Sequence, residues 1–251
     1  MGDVVASSPE PSIPPAMSFP ARVAGVFLSP GEAFADIARK PDFIAPLILA
    51  IVAAIAVAET MLAKIGMERI IRTSIEQSGR ASSMSPEQME QAVHQTARIT
   101  TIITHVFGVL GPPIYLAILA GLGLLIVNAI FGAHTNFKTA FSVACYAYLP
   151  AILGGLMALA IILFGDPERF NAENPIPSNV GFFLNPLETS KPLYKFAASV
   201  DIFTLWLLIL LGIGFSHATG RRVKPLSVFL VYFGVWMVWV LGKVGLAALT
   251  G

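Results

Sequence analysis

Phe43 to Ala63 reads FIAPLILAIVAAIAVAETMLA, and the solvent this stretch requires decides the fold. Its one charged residue, Glu59, falls near the far end. At about 1.5 Å per residue such a stretch makes a helix of roughly 30 Å, which is the hydrocarbon thickness of a bilayer. Its apolarity is continuous and lacks the two-residue alternation of a barrel strand. A helix therefore satisfies the backbone inside lipid.

Working outward, further apolar runs occupy residues near 102–131, 139–164, 197–218 and 226–249, and nearly all the Lys, Arg, Asp and Glu lie between them. The chain of 251 residues is 55% hydrophobic and 12% charged, where an ordinary soluble domain carries about 25% charged residues. The expected fold class is all-α: an integral membrane helical bundle with five transmembrane helices and short interfacial helices at the N-terminus. Residues 1–18, with Pro9, Pro11, Pro14 and Pro15 among serines, read as a disordered tail before a transmembrane domain over 19–249.

Local signals refine the elements. Phe19, Val23, Val26 and Phe27 recur at helical spacing; Ser29-Pro30-Gly31-Glu32 then predicts a capping box opening a second short helix with Phe34 and Ile37 on one side. That helix suits either the membrane surface or the end of the bundle. Lys64 to Ser85 is polar, with a loop expected around Ser78 to Ser83. Ser85-Pro86-Glu87-Gln88 repeats the capping pattern, and the helix it opens runs into the second span. Its Glu87, Gln91, His94, Arg98, Thr101 and His105 form a polar stripe. Gly111-Pro112-Pro113 predicts a kink or break, and Pro150 a kink in the third span. The fourth helix is expected to begin near Ser190 and the fifth after Pro225.

The function classes excluded are broad. A net charge of +1 and no Lys/Arg block argue against nucleic acid. Cys145 is alone, so it forms no disulfide within the chain. No paired cysteines, HExxH, GxSxG, P-loop or dinucleotide fingerprint occurs, so no metal, cofactor or catalytic residue is expected and the chain reads as a non-enzyme. Charges at membrane depth cost about 2.5–3.5 kcal/mol on insertion scales and become functional candidates by default. Asp201, expected about three turns into the fourth helix, leads that group. Glu59 and Lys243 lie near span ends, where side chains snorkel. The full set of candidate intramembrane polar or partner sites is Asp201, Glu59, His105, Trp206 and Tyr148. Gly121 and Gly123, and the small-residue pairs Ala117/Gly121, Ala151/Gly155 and Gly212/Ser216, are expected to admit neighbouring helices.

Arg221, Arg222 and Lys224 crowd the short turn before the last run, while the opposing side's charges are spread over two longer loops. The expected orientation is N-terminus cytoplasmic and C-terminus outside, in the plasma (inner) membrane.

Several stretches together resemble the prokaryotic branch of the Yip domain family. They are Arg22-Val23 leading to Ser29-Pro30, Pro41 and Pro46 before the first span, and Phe131-Gly132 with Phe137-Lys138-Thr139-Ala140-Phe141. Tyr146-Ala147-Tyr148-Leu149-Pro150, Asp201-Ile202-Phe203-Thr204-Leu205-Trp206 and Gly212-Ile213-Gly214 complete the set. The resemblance implies five spans, a cytoplasmic N-terminus, and a role in membrane organisation like that of the trafficking proteins among its eukaryotic relatives. Gly111-Pro112-Pro113-Ile114-Tyr115 departs from their Asp-Leu-Tyr-Gly-Pro element, so contact with small GTPases is not carried over. The expected partners are the lipid bilayer and a membrane protein or further copy of the chain, in a scaffold or adaptor; the alternative is a small transporter or channel component.

Overall fold

The computed structural model describes residues 15–77, 80–166, 170–171, 174–185 and 188–250. The described residues form ten α-helices: α1 Phe19–Leu28, α2 Pro30–Arg39, α3 Ile44–Lys64, α4 Met67–Gln77, α5 Pro86–Leu124, α6 Phe137–Ala147, α7 Leu149–Phe164, α8 Lys191–Ser199, α9 Ile202–Ala218 and α10 Pro225–Thr250. Of the tail expected over 1–18, only 15–18 fall among them, and there Ser18 caps α1 by accepting from the Ala21 N–H.

Four helical stretches are long and apolar enough to cross a membrane: Ile44–Lys64, Pro86–Ile130, Phe137–Phe164 and Pro225–Leu249. Only 17% of the most apolar window of the first and the last is buried within the protein. The remainder is an apolar exterior, including Ile48, Val52, Val238 and Trp239, which a bilayer covers and water does not. The protein is a multi-pass membrane protein. The expected fourth run does not form one long helix from Ser190. It is divided at Val200 and Asp201 into α8 of 9 residues and α9 of 17, because the Asp201 carboxylate takes up a backbone N–H and starts a new helix.

Proline acts differently at its two expected sites. Before Pro150 the chain does break, at Tyr148, which separates α6 from α7. At Pro112 and Pro113, however, α5 continues for 39 residues. Two missing N–H groups remove two rungs from a long ladder whose flanking turns are packed on α3, where Gly108 meets Ile55. Beyond Leu124 the helix widens into a π-helical segment, Leu125–Ile130. Asn128 then clamps the loop that follows, donating to the Thr135 carbonyl (3.1 Å) and accepting from the Thr135 N–H (3.0 Å).

The two capping signals also divide. At Ser85 the box forms, with the Gln88 N–H donating to Ser85 Oγ (3.3 Å) and the Ser85 N–H to Gln88 Oε1 (2.9 Å). At Ser29 the helix boundary falls as expected but the side chain makes no cap bond. Its backbone does the work, closing α1 through Ser29 N–H to Gly25 O (2.7 Å) and opening α2 through Ser29 O. The polar stretch after α3 holds a helix that the sequence reading missed, α4, joined to α5 by the Arg72–Glu90 ion pair (2.7 Å).

Contacts between helices fix their directions. The rings of Phe43 and Phe141 meet 5.1 Å apart, so α3 and α6 start at the same end of the bundle, the near end. Gly214 of α9 lies beneath Phe34 of α2 and Val143 of α6, which brings the C-terminal end of α9 back to the near end. Ala33, Phe34 and Ile37 are buried. Of the two settings open for α2, packing on the bundle's end is therefore present. Gly123 provides the slot filled by the Phe215 ring, while Gly121 has open space beside it. Against α10, Gly212 admits the Pro225 carbonyl, and the Tyr232 hydroxyl donates to the Leu119 carbonyl of α5 (2.6 Å).

Gly214 is confined from two sides, since a Cβ there would collide with Val143 and stand 2.9 and 3.0 Å from carbons of the Phe34 ring. Gly214→Val is expected to lower stability by about 1–3 kcal/mol through overpacking, read as a lower unfolding temperature of the detergent-solubilised protein.

Candidate functional site

Asp201 owes its position to the break before it. Oδ1 accepts from the Thr204 N–H at 3.0 Å and caps α9, while Oδ2 accepts from the Ser178 hydroxyl. The next residue, Ile202, donates its N–H to the Ser178 carbonyl (3.0 Å). The segment 174–180 is thereby tied to the first turn of α9. Asn174 and Asn179 brace that segment by exchanging side-chain hydrogen bonds of 3.0 and 2.8 Å. Asp201 is thus a helix cap and a tether at a chain break, not a carboxylate partway along a helix.

Between this segment, α5 and α7 lies a cavity of about 420 Å³, walled by Tyr115, Tyr148, Gly154, Asp201, Phe203 and Thr204 among others. The rings of Tyr115 and Tyr148 stand 5.8 Å apart. Two of the five candidates, Asp201 and Tyr148, therefore meet at one cavity. Its described wall offers one carboxylate, two phenols and the Thr204 hydroxyl in apolar surroundings.

Glu59 and His105 meet elsewhere, on the outer surface of α3 and α5. His105 Nε2 lies 3.1 Å from Glu59 Oε1, and its Nδ1 lies 2.7 Å from the Thr101 carbonyl. Both side chains are about half exposed, so the pair is a weak tie between helices. Trp206 stands apart from both groups, packed edge-on against Phe27 of α1 at 5.4 Å. Lys243 reaches from α10 to the Ser199 hydroxyl (2.9 Å) and holds α8 in place.

The strongest polar interaction is one the sequence reading did not single out. Arg22 of α1 is 3% exposed, and its Nε and Nη2 both lie 2.8 Å from Asp36 Oδ2 of α2. Arg39 Nη2 donates to Asp36 Oδ1 (2.6 Å), the Met17 N–H donates to Oδ2 (3.1 Å), and Arg22 Nη2 also donates to the Lys40 carbonyl (3.0 Å). A signal was available: Arg22 falls on the helical face of Phe19 and Val26, and Asp36 between Ala33 and Ile37. A charge on an apolar stripe needs a partner charge.

The Yip1 domain family model matches residues 24–244, from α1 into α10, and takes in the cavity, the Glu59–His105 pair and Asp36. The chain belongs to the Yip1 domain family. As a Yip1 domain protein it carries the multi-pass helical architecture described above, including both breaks that flank the cavity. No curated protein and no solved structure gives a match.

Burial pushes the Asp36 carboxyl up, but hydrogen bonds from Arg39, Arg22 and the Met17 N–H together hold it below the usual carboxylate value. A carboxyl lowered on folding adds stability above its unfolded value of about 3.9, and that stability is lost as pH falls through the folded value. Acid unfolding is therefore expected to steepen below about pH 4. Asp36→Asn is expected to remove that component and cost about 3–5 kcal/mol at neutral pH, because Arg22 is left buried without its counter-charge. Unfolding followed against pH in detergent checks both.

Proposed function

We propose that this Yip1 domain protein is a non-enzymatic membrane scaffold or adaptor with five spans. The carrying observation is that both Asp201 oxygens are engaged, one capping α9 and one held by Ser178. A carboxylate used in this way serves architecture. The α1–α2 hairpin, locked at the near end by Arg22–Asp36 and Phe34, is the element offered to a membrane-protein partner or a further copy; Leu28, at its turn, is 82% exposed.

In this reading α9 is the fourth of the five spans. Its 17 residues reach about 25 Å, slightly short of the hydrocarbon, and local thinning of the bilayer accommodates the difference at modest cost. The near end then faces the cytoplasm of a plasma membrane, with Lys40, Lys138, Arg221, Arg222 and Lys224 on it, following the positive-inside preference. The α4–α5 hairpin and the C-terminus lie outside. Cysteine substitutions test the arrangement. With a membrane-impermeant maleimide on intact cells, Leu249→Cys is expected to label and Lys224→Cys to label only after permeabilisation. The reverse pattern would overturn the proposed arrangement, either because α9 does not cross or because the bundle is inserted the other way round.

One observation favours a transporter or channel component as the second reading: the cavity lies beside a helix broken at Asp201, and broken helices frame substrate sites in transporters. Asp201→Asn separates the two, since asparagine also caps helices and removes only the charge. For a scaffold, the variant is expected to keep its unfolding temperature and its crosslinked partner, captured through a photoreactive residue at Leu28. Asp201→Ala is expected to lose about 0.5–2 kcal/mol. Loss of an ion or solute flux by folded Asp201→Asn in reconstituted vesicles would favour transport instead.

A further inference from the structure

At the near end, a cleft of about 370 Å³ opens between α1, the connection Lys40–Ile44, and the first turn of α6. Arg22, Lys40 and Lys138 line it together with one carboxylate, Asp42. Asp42 already accepts from the Ile44 N–H (3.1 Å) at the start of α3, and Arg22 is matched by Asp36. Lys40 and Lys138 are exposed and have no ion-pair partner among the described residues. The Arg22–Asp36–Arg39 network itself keeps one positive charge in excess. The cleft therefore presents a surplus of cations to whatever occupies it.

A second, independent observation lies in the wall. Tyr146 is completely buried, with the Arg22 guanidinium 5.9 Å from its ring centroid. Its hydroxyl is close enough to favour the guanidinium's charge, yet makes no hydrogen bond of acceptable geometry among the described residues. Buried polar groups are rarely left in that condition. An oxygen-rich acceptor would satisfy it.

The rest of the cleft is apolar, with Met17, Phe19, Phe43 and Ile44. From Ile44 an exposed stripe runs down α3 through Ile48 and Val52, at intervals of one helical turn. An anion site that leads directly onto a lipid-facing groove has the chemistry of a glycerophospholipid, headgroup above and acyl chain below. We propose that this cleft binds the phosphodiester headgroup of an anionic glycerophospholipid, with Lys40 and Lys138 pairing with the phosphate and the Tyr146 hydroxyl donating to it. The acyl chain lies along Ile44, Ile48 and Val52.

The experiment uses the full chain in nanodiscs of phosphatidylcholine, titrated with phosphatidylglycerol and read by lipid retention in native mass spectrometry. The wild-type protein is expected to retain phosphatidylglycerol selectively. Lys40→Gln with Lys138→Gln is expected to weaken retention by roughly 30-fold, about fivefold for each cation. Both side chains are exposed, so the fold is untouched. Tyr146→Phe removes only the hydroxyl and is expected to weaken retention severalfold while the unfolding temperature holds. Arg221→Gln with Lys224→Gln removes equal charge from the same end and is expected to leave retention unchanged. Equal loss in that control pair would overturn the proposal in favour of diffuse attraction, as would unaltered retention in the Lys40/Lys138 pair. Displacement of the lipid by equimolar inorganic phosphate would overturn it in favour of a free-anion site.

Discussion

Inside hydrocarbon, a backbone N–H or carbonyl finds no water, so each must be answered by the protein itself. That constraint shapes every part of the bundle. Where helices are continuous the ladder answers it, as along α5 outside the two rungs that Pro112 and Pro113 remove. Where they break, side chains take over. Asn128 clamps both backbone groups of Thr135, Asp201 takes the N–H of Thr204, and Ser178 contributes both its hydroxyl and its carbonyl to the start of α9. These polar residues are concentrated where the chain changes direction, and their chemistry is first of all a substitute for water.

Helix packing is set by a different economy. Lipid is as apolar as leucine, so helices gain little from hiding apolar surface from it, and close fit matters more. The fit here is made by glycines facing aromatic rings: Gly123 receives Phe215, Gly214 lies under Phe34, and Gly154 meets Phe203. Each contact joins α9 to a different neighbour. This short helix consequently packs against five neighbours, α2, α5, α6, α7 and α10.

The sequence made much of this legible. Long apolar runs, the Ser85 box and a change of course near Pro150 are local properties, set by composition and by bonds a few residues apart. Gly123 as a point of helix approach and the two short helices before the first span were visible as spacing. What escaped was set by tertiary context. Asp201 reads as a charge partway along an apolar run until Ser178, 23 residues earlier, is brought beside it. Arg22 and Asp36 each stand on an apolar helical stripe, but that they answer each other emerges only when their helices fold together across a separation of 14 residues. Pro112 and Pro113 signal a kink or a break, and the helix runs on through both without a break. The cavity that unites Tyr148 with Asp201, and the meeting of Glu59 with His105, follow from the register between helices, which no single segment contains.

The bond from Tyr232 to the carbonyl of Leu119 spans 113 residues. During synthesis α5 leaves the ribosome long before α10, so its seam stays open through most of biogenesis. The final helix packs broadly on α9 and α8 and reaches α5 through this hydroxyl. A chain cut short before residue 225 would retain most of its membrane-inserting segments and still lack the fastener, leaving the carbonyl of Leu119 without the hydroxyl that reaches it across the bundle.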